Sequence, residues 1–152
     1  MEPIEILNAL RVNRPKLGKD TGVGLYRLFR LVAMEDILGN GASAISYYAG
    51  KKLGLELGLK TLEEFLALCD DLKIGIIKVP VMTDDFIHVD VYECVTCDGM
   101  ETVGRPICSF EGGLIAGSVE SITGKKTTAK EVTCIGGLGH ETCGFDLTLK
   151  DH

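Results

Sequence analysis

The chain has 152 residues, 45% hydrophobic and 25% charged, which suits one domain with a well-buried core and excludes a multidomain machine or a disordered chain. Sixteen Lys and Arg against 22 Asp and Glu leave a net charge of −6, so the whole chain has no electrostatic footprint for a nucleic-acid backbone. Six Cys fall well below the roughly 8–10% of a disulfide scaffold, and 19 Gly are about twice the ordinary share; both residue types need a structural reason.

Residues 1–20, with Arg11, Arg14, Lys16 and Lys19 around Pro15 and Gly18, read as an irregular N-terminal arm opening with one helical turn at 4–10. Residues 21–152 read as a single domain. The start Met1-Glu2-Pro3-Ile4-Glu5 is acidic where a secretory signal is basic, and no apolar stretch follows it. No run approaches the roughly 18 apolar residues of a membrane span. A cytoplasmic protein with reduced thiols is therefore expected.

Leu25, Leu28, Phe29, Val32 and Ile37 recur at helical spacing and predict a helix over 25–38, stopped by Gly39-Asn40-Gly41. A second helix is predicted over 42–57, with Ser43, Ser46 and Gly50 as small surfaces for close packing. Thr61 followed by Glu64 is a capping box for a third, whose stripe is Leu62, Phe65, Leu66 and Cys69. After Leu72 the β-branched residues Ile74, Ile76, Ile77, Val79 and Val81 predict a strand that turns at Asp84-Asp85. The chain then alternates over 86–97, with Ile87, Val89, Val91 and Val95 on one face. Glu93 shares that face, as a strand-end carboxylate reaching solvent or a buried one with a partner. Gly104-Arg105-Pro106 opens a helix over 107–122. Strands over 127–135 and 142–149 flank the loop 136–141. The order ααα-ββ-α-ββ predicts an α+β fold, with helices packed on a twisted antiparallel four-stranded sheet.

Five of the six cysteines lie after residue 90: Cys94, Cys97, Cys108, Cys134 and Cys143. Cys108, Cys134 and Cys143 fall at a helix start and at strand ends, where thiolates come readily to a tetrahedral zinc, and either Glu131 or His140 would complete such a site. The competing reading is that they are small buried hydrophobes. Cys94-Val95-Thr96-Cys97 is a CxxC inside an alternating strand, which sends its thiols to opposite faces, so it reads as strand core rather than as a redox pair or half a metal site. Gly112, Gly113 and Gly117 interrupt an apolar helix at up to about 1 kcal/mol each. Either a neighbour approaches closely there, or the missing side chains leave room for an apolar ligand, with Tyr92 and Phe110 as further lining candidates. None of the glycine clusters sits in the strand–glycine–helix setting of a nucleotide fingerprint. G-x-S-x-G and H-E-x-x-H are absent, and no catalytic residue is assigned.

Several motifs occur together: Leu38-Gly39-x-Gly41 with Gly50, Glu93-Cys94, the run from Arg105 to Gly117, and Glu131-Val132-Thr133-Cys134 followed by Cys143-Gly144-Phe145. In this order they resemble the 4-vinyl reductase domain family, a branch of the Bet3-like transport-particle fold, and the related sensor domains of aromatic-catabolism activators. The resemblance implies a zinc held by three Cys and one Glu, which here would be Cys108, Glu131, Cys134 and Cys143, with His140 as a substitute donor. It further implies a homodimeric module that binds a small hydrophobic or aromatic molecule and is read by a separate output partner. Two other readings stand beside it: a reductase or tetrapyrrole-handling enzyme, for which no cofactor motif is visible, and a dimeric scaffold for protein–protein contacts.

Overall fold

In the computed structural model, which describes residues 1–152, the β-branched runs form one antiparallel sheet. Its strands are β1 (Ile76–Met82), β2 (Phe86–Tyr92), β3 (Lys126–Thr133) and β4 (Cys143–Lys150), in the order β1-β2-β4-β3. Alternation fixes the register, because a one-residue slip would turn every inward side chain to solvent. Ile87 lies opposite Leu147, Val89 opposite Phe145 and Val91 opposite Cys143, and all six are buried on the inner face. Glu131 pairs with Phe145 across β3 and β4 and so falls on that same face.

The helices are α1 (Ile6–Ala9), α2 (Val23–Arg27), α3 (Glu35–Leu38), α4 (Ala42–Glu56), α5 (Leu62–Asp71), α6 (Ser109–Thr123) and α7 (Ile135–Leu138). Helix α6 lies between the sheet and α4, which is why every residue from Glu111 to Val119 is buried. Glycine makes this three-layer arrangement possible. A Cβ on Gly113 would run into the carbonyl oxygen of Tyr47, and one on Gly117 into that of Lys51. Reciprocally, a Cβ on Gly50 would strike the carbonyl of Phe110, and one on Gly54 would stand 2.5 Å from the carbonyl oxygen of Leu114. Glycines four apart on each helix thus let the two backbones touch, and the dispersion gained along this contact offsets their poor helix propensity. Lys51 ties the layers at one side, its Nζ donating to the Thr127 carbonyl at 2.7 Å and pairing with Glu120 at 3.1 Å.

Helix α5 covers the β1 side of the sheet with Phe65 and Cys69. Thr61 caps it, accepting from the Glu64 N–H at 3.2 Å, while Glu64 accepts from the Lys60 N–H at 2.8 Å. No helix is long and apolar enough to cross a membrane.

Two expectations are corrected. The predicted helix over 25–38 is α2, a π-helical stretch Leu28–Met34 and α3 in succession, and its stripe Leu25, Leu28, Phe29, Val32 and Ile37 faces outward rather than into the core. The buried side chain of that segment is Arg30. Second, β2 ends at Tyr92 rather than at Cys97: Glu93 takes φ +50° and is exposed, and the chain turns away through Cys94–Cys97.

Candidate metal centre and its buried support

Antiparallel pairing brings the end of β2, the end of β3 and the start of β4 to one end of the sheet, and the N-terminus of α6 is set down there. Cys108 is the N-cap residue of α6, Cys134 precedes α7, and Cys143 opens β4. Their thiols are fully buried. Cys108 Sγ lies 3.9 Å from that of Cys134 and 3.6 Å from that of Cys143. The Glu131 carboxylate reaches the same point and accepts from the Cys108 N–H at 3.1 Å. The four ligand atoms all lie within 4.8 Å of one another.

Cys94 and Cys97 join them, which alternation did not foresee. Cys94 lies 3.6 Å from Cys108, and Cys97 lies 3.4 Å from Cys108 and 3.3 Å from Cys143. The turn after β2 removes the objection that a straight strand would part the two thiols. Asp98-Gly99, directly after the CxxC, is the sequence signal for that turn. The loop of α7 closes over the cluster through glycine: a Cβ on Gly136 would meet the Cys97 carbonyl, and one on Gly137 the Arg105 carbonyl and the Cys134 sulfur.

His140 is not brought to the cluster. It is exposed, and its Nδ1 accepts from the Cys134 N–H at 3.0 Å, so it fixes the chain rather than offering a ligand. Gly113 and Gly117 face α4, and Gly112 faces the Phe145 ring, so close approach fills the space a ligand would need at these glycines. Tyr92 carries the Lys78 ammonium 5.1 Å above its ring, and Phe110 lies 5.4 Å beneath the Arg30 guanidinium. Neither lines an apolar cavity. The recess the structure does hold is on the other side of α6, bounded by Leu62, Phe65, Ile87, Val89, Ile115 and Val119, among others.

The thiols perturb one another. Hydrogen bonding from Cys108 first, and from Cys143 among the others, pulls Cys97 down to about 4 and Cys134 to about 6 and lowers Cys94 as well. Hydrogen bonds to Cys134 and to the other thiols push Cys108 up. Burial, then the neighbouring Cys134, pushes the Glu131 carboxyl up to about 9. Cys69, alone in α5, is simply pushed up to about 12 by burial. A cluster that holds its protons unevenly in a buried space exchanges them readily for a cation. All six cysteines are free thiols. Buried thiolates with one carboxylate form the soft donor set that suits a tetrahedral zinc.

A second buried group supports this one. Arg30 pairs with Glu111 at 2.9 Å, their side chains only 9% and 2% exposed. Arg30 also donates to Thr96 Oγ1 at 2.5 Å and to the Ile107 carbonyl at 3.0 Å. Thr96 donates to Glu111 as well, and so does Tyr26, at 3.1 Å. Burial, then the adjacent Glu111, raises the Tyr26 pKa and keeps its hydroxyl protonated as a donor. Arg27 donates to the carbonyls of Val95 and Asp98, each at 2.9 Å. Arg27 and Arg30 therefore hold the Cys94–Cys97 turn against the start of α6.

This sheet, the glycine-faced helix buried against it and the thiol cluster at one sheet end define a Bet3-like α+β domain with a centre able to hold a metal. The chain belongs to the 4-vinyl reductase domain family, whose model matches residues 87–149. Two uncharacterized proteins of Methanocaldococcus jannaschii are 31% and 34% identical to it, over 90% and 89% of this chain and 83% and 80% of their own. Among solved structures, a vinyl-4-reductase family protein of that organism superposes with a TM-score of 0.69 at 22% identity, covering 90% of this chain and 86% of its own. The phenol-responsive sensory domain of the transcription activator PoxR, solved with phenol, gives 0.70 at 17%, covering 85% and 75%. A trafficking protein particle complex subunit 3 from Naegleria fowleri, covalently bound to palmitic acid, gives 0.60 at 13%, covering 86% and 96%.

Proposed function

We propose that the protein is a cytoplasmic, homodimeric module that binds a small apolar or aromatic molecule and carries a structural zinc. The observation that carries the ligand half is the recess between α5, α6 and the inner face of the sheet. Its walls are Leu62, Phe65, Val79, Met82, Ile87, Val89, Ile115, Val119 and Ile122, with Thr123 the one polar residue. Similarity of fold to a sensory domain solved with phenol and to a subunit carrying palmitate supports a ligand of this class. The recess is about 20 Å³, room for one water-sized body, whereas a benzene ring fills a cavity of roughly 150 Å³. Entry of a ligand therefore requires α5 to move outward, and a wall with so little polarity selects a molecule by shape and hydrophobicity.

A zinc would be held by Cys108, Glu131, Cys134 and Cys143. Four protein ligands leave no open position for water, so the ion would tie β3, β4 and α6 together rather than activate a substrate. Metal analysis of protein purified without added zinc should find zinc in the wild type and less in Cys134→Ser. A metal-free wild type would sink the site. Thermal-shift screening against aromatic and lipid-like compounds tests the ligand half, since a ligand that binds only the native state raises its stability. Phe65→Ala should enlarge the recess and strengthen that response, and silence across the panel in both proteins would leave the dimeric scaffold as the better reading.

A further inference from the structure

Six donor groups converge at the end of the sheet, the thiols of Cys94, Cys97, Cys108, Cys134 and Cys143 and the carboxylate of Glu131, whereas a tetrahedral ion takes four ligands. They divide into two complete sets, Cys94–Cys97–Cys108–Cys143 and Cys108–Glu131–Cys134–Cys143, each with its ligand atoms within 4.8 Å of one another. Cys108 and Cys143 belong to both. We propose that the protein binds two divalent ions of the zinc class, one in each set, with Cys108 and Cys143 bridging them. This rests on the zinc reading of the second set and adds to it a four-thiolate site built by the CxxC turn.

Distances support two ions rather than one. A zinc–sulfur bond of about 2.3 Å places two sulfurs on one tetrahedral ion about 3.8 Å apart. In the first set the separations are 3.6 Å for Cys94–Cys108, 3.4 Å for Cys97–Cys108 and 3.3 Å for Cys97–Cys143. In the second, Cys108–Cys134 is 3.9 Å, and the shared edge Cys108–Cys143 is 3.6 Å. Cys108 thus has four other sulfurs within 3.9 Å. A corner of one tetrahedron has three neighbours, and a corner common to two has more.

Charge and burial point the same way. Five thiolates and a carboxylate amount to six negative charges in a space from which water is excluded, and one dication offsets two of them. Buried charge without a partner is costly, and a second dication offsets two more while giving the remaining thiolates a partner. Cys94 and Cys97 are 1% and 0% exposed, and their turn is fixed by the side chains of Arg27 and Arg30 described above. A cubane iron–sulfur cluster is a poor fit, because its cysteines bind separate irons around inorganic sulfide, while these sulfurs already touch.

The test uses the full chain, purified under reducing conditions, stripped of metal and reloaded with the NMR-active cadmium isotope. Two bound ions per chain are expected, giving two cadmium resonances. One should fall where four sulfurs bind and the other where three sulfurs and one oxygen bind, with scalar coupling between them through the bridging sulfurs. Zinc content of the protein as purified should likewise be two per chain. Cys94→Ser with Cys97→Ser should lose one equivalent and the four-sulfur resonance and keep the other.

A single equivalent in the wild type overturns the proposal. If that ion is indifferent to the Cys94 and Cys97 changes, the zinc reading of the other set survives; if it disappears with them and persists in Cys134→Ser, both fall. Iron with acid-labile sulfide also overturns it. The wild-type resonances decide between one ion and two without any variant, so a variant that misfolds does not protect the proposal.

Discussion

Arg30 and Glu111 show how much of this domain depends on one buried pair. Neither charge can reach water, so each tolerates burial only because the other is there, along with Thr96, Tyr26 and the Ile107 carbonyl. Removing one partner leaves an uncompensated buried charge, which costs about 3–5 kcal/mol, whereas replacing both with apolar residues of similar volume is far milder. Arg30→Met should therefore lower the urea midpoint sharply, and Arg30→Met with Glu111→Leu should recover much of the loss. A double variant as weak as the sum of its singles would show that the two side chains act independently. The pair is hard to see in sequence because Arg30 sits among Leu28, Phe29, Leu31 and Val32, where an arginine looks like the solvent side of an amphipathic helix. Cys108 and the Glu131-x-x-Cys134 spacing are legible because helix starts and strand ends follow from local rules. Cys94 and Cys97 are not, since alternation through Val95 hides the turn that Glu93 makes with its positive φ.

At the level of elements, the α4–α6 crossing carries the strictest requirement in the fold. Gly113 meets backbone rather than a movable side chain, so a methyl group there forces the helices apart along their whole contact. Gly113→Ala should cost about 1–3 kcal/mol, toward the upper end because backbone yields poorly. Gly22→Ala is the matched control: nothing lies within 4 Å of its Cβ position, and its φ of −68° suits any residue, so it should stay within about 0.5 kcal/mol of wild type. Equal urea midpoints for the two variants would show that the crossing tolerates a methyl group and is not the strict contact its geometry implies. The strands, the capped α5 and the glycine interruption of α6 are legible in the sequence, each arising from local periodicity, capping or propensity. The direction faced by the segment from Val23 to Leu38 is not, because helical spacing shows that a stripe exists without showing whether the core or a partner covers it.

That stripe governs the behaviour of the whole molecule. Leu25, Leu28, Phe29, Val32, Ile37 and Tyr48 are each between 61% and 76% exposed, while the charged neighbours Arg27, Arg30 and Glu35 are bonded inward, Glu35 to Arg105 at 2.6 Å. A segment that buries its charges and displays its hydrophobes is the reverse of a solvated helix, and contiguous apolar patches of this kind on soluble proteins mark interaction surfaces. A second copy of the chain is the fitting occupant: a patch with little charge of its own meets no repulsion when it faces itself, as a two-fold interface requires. Sedimentation equilibrium at micromolar concentration should therefore find a dimer. Phe29→Glu with Val32→Glu should give a monomer of unchanged metal content, because four carboxylates would then face one another across the interface without touching the core or the cysteines. A wild type that sediments as a monomer, or a doubly acidic variant that remains dimeric, would assign this face to a different partner.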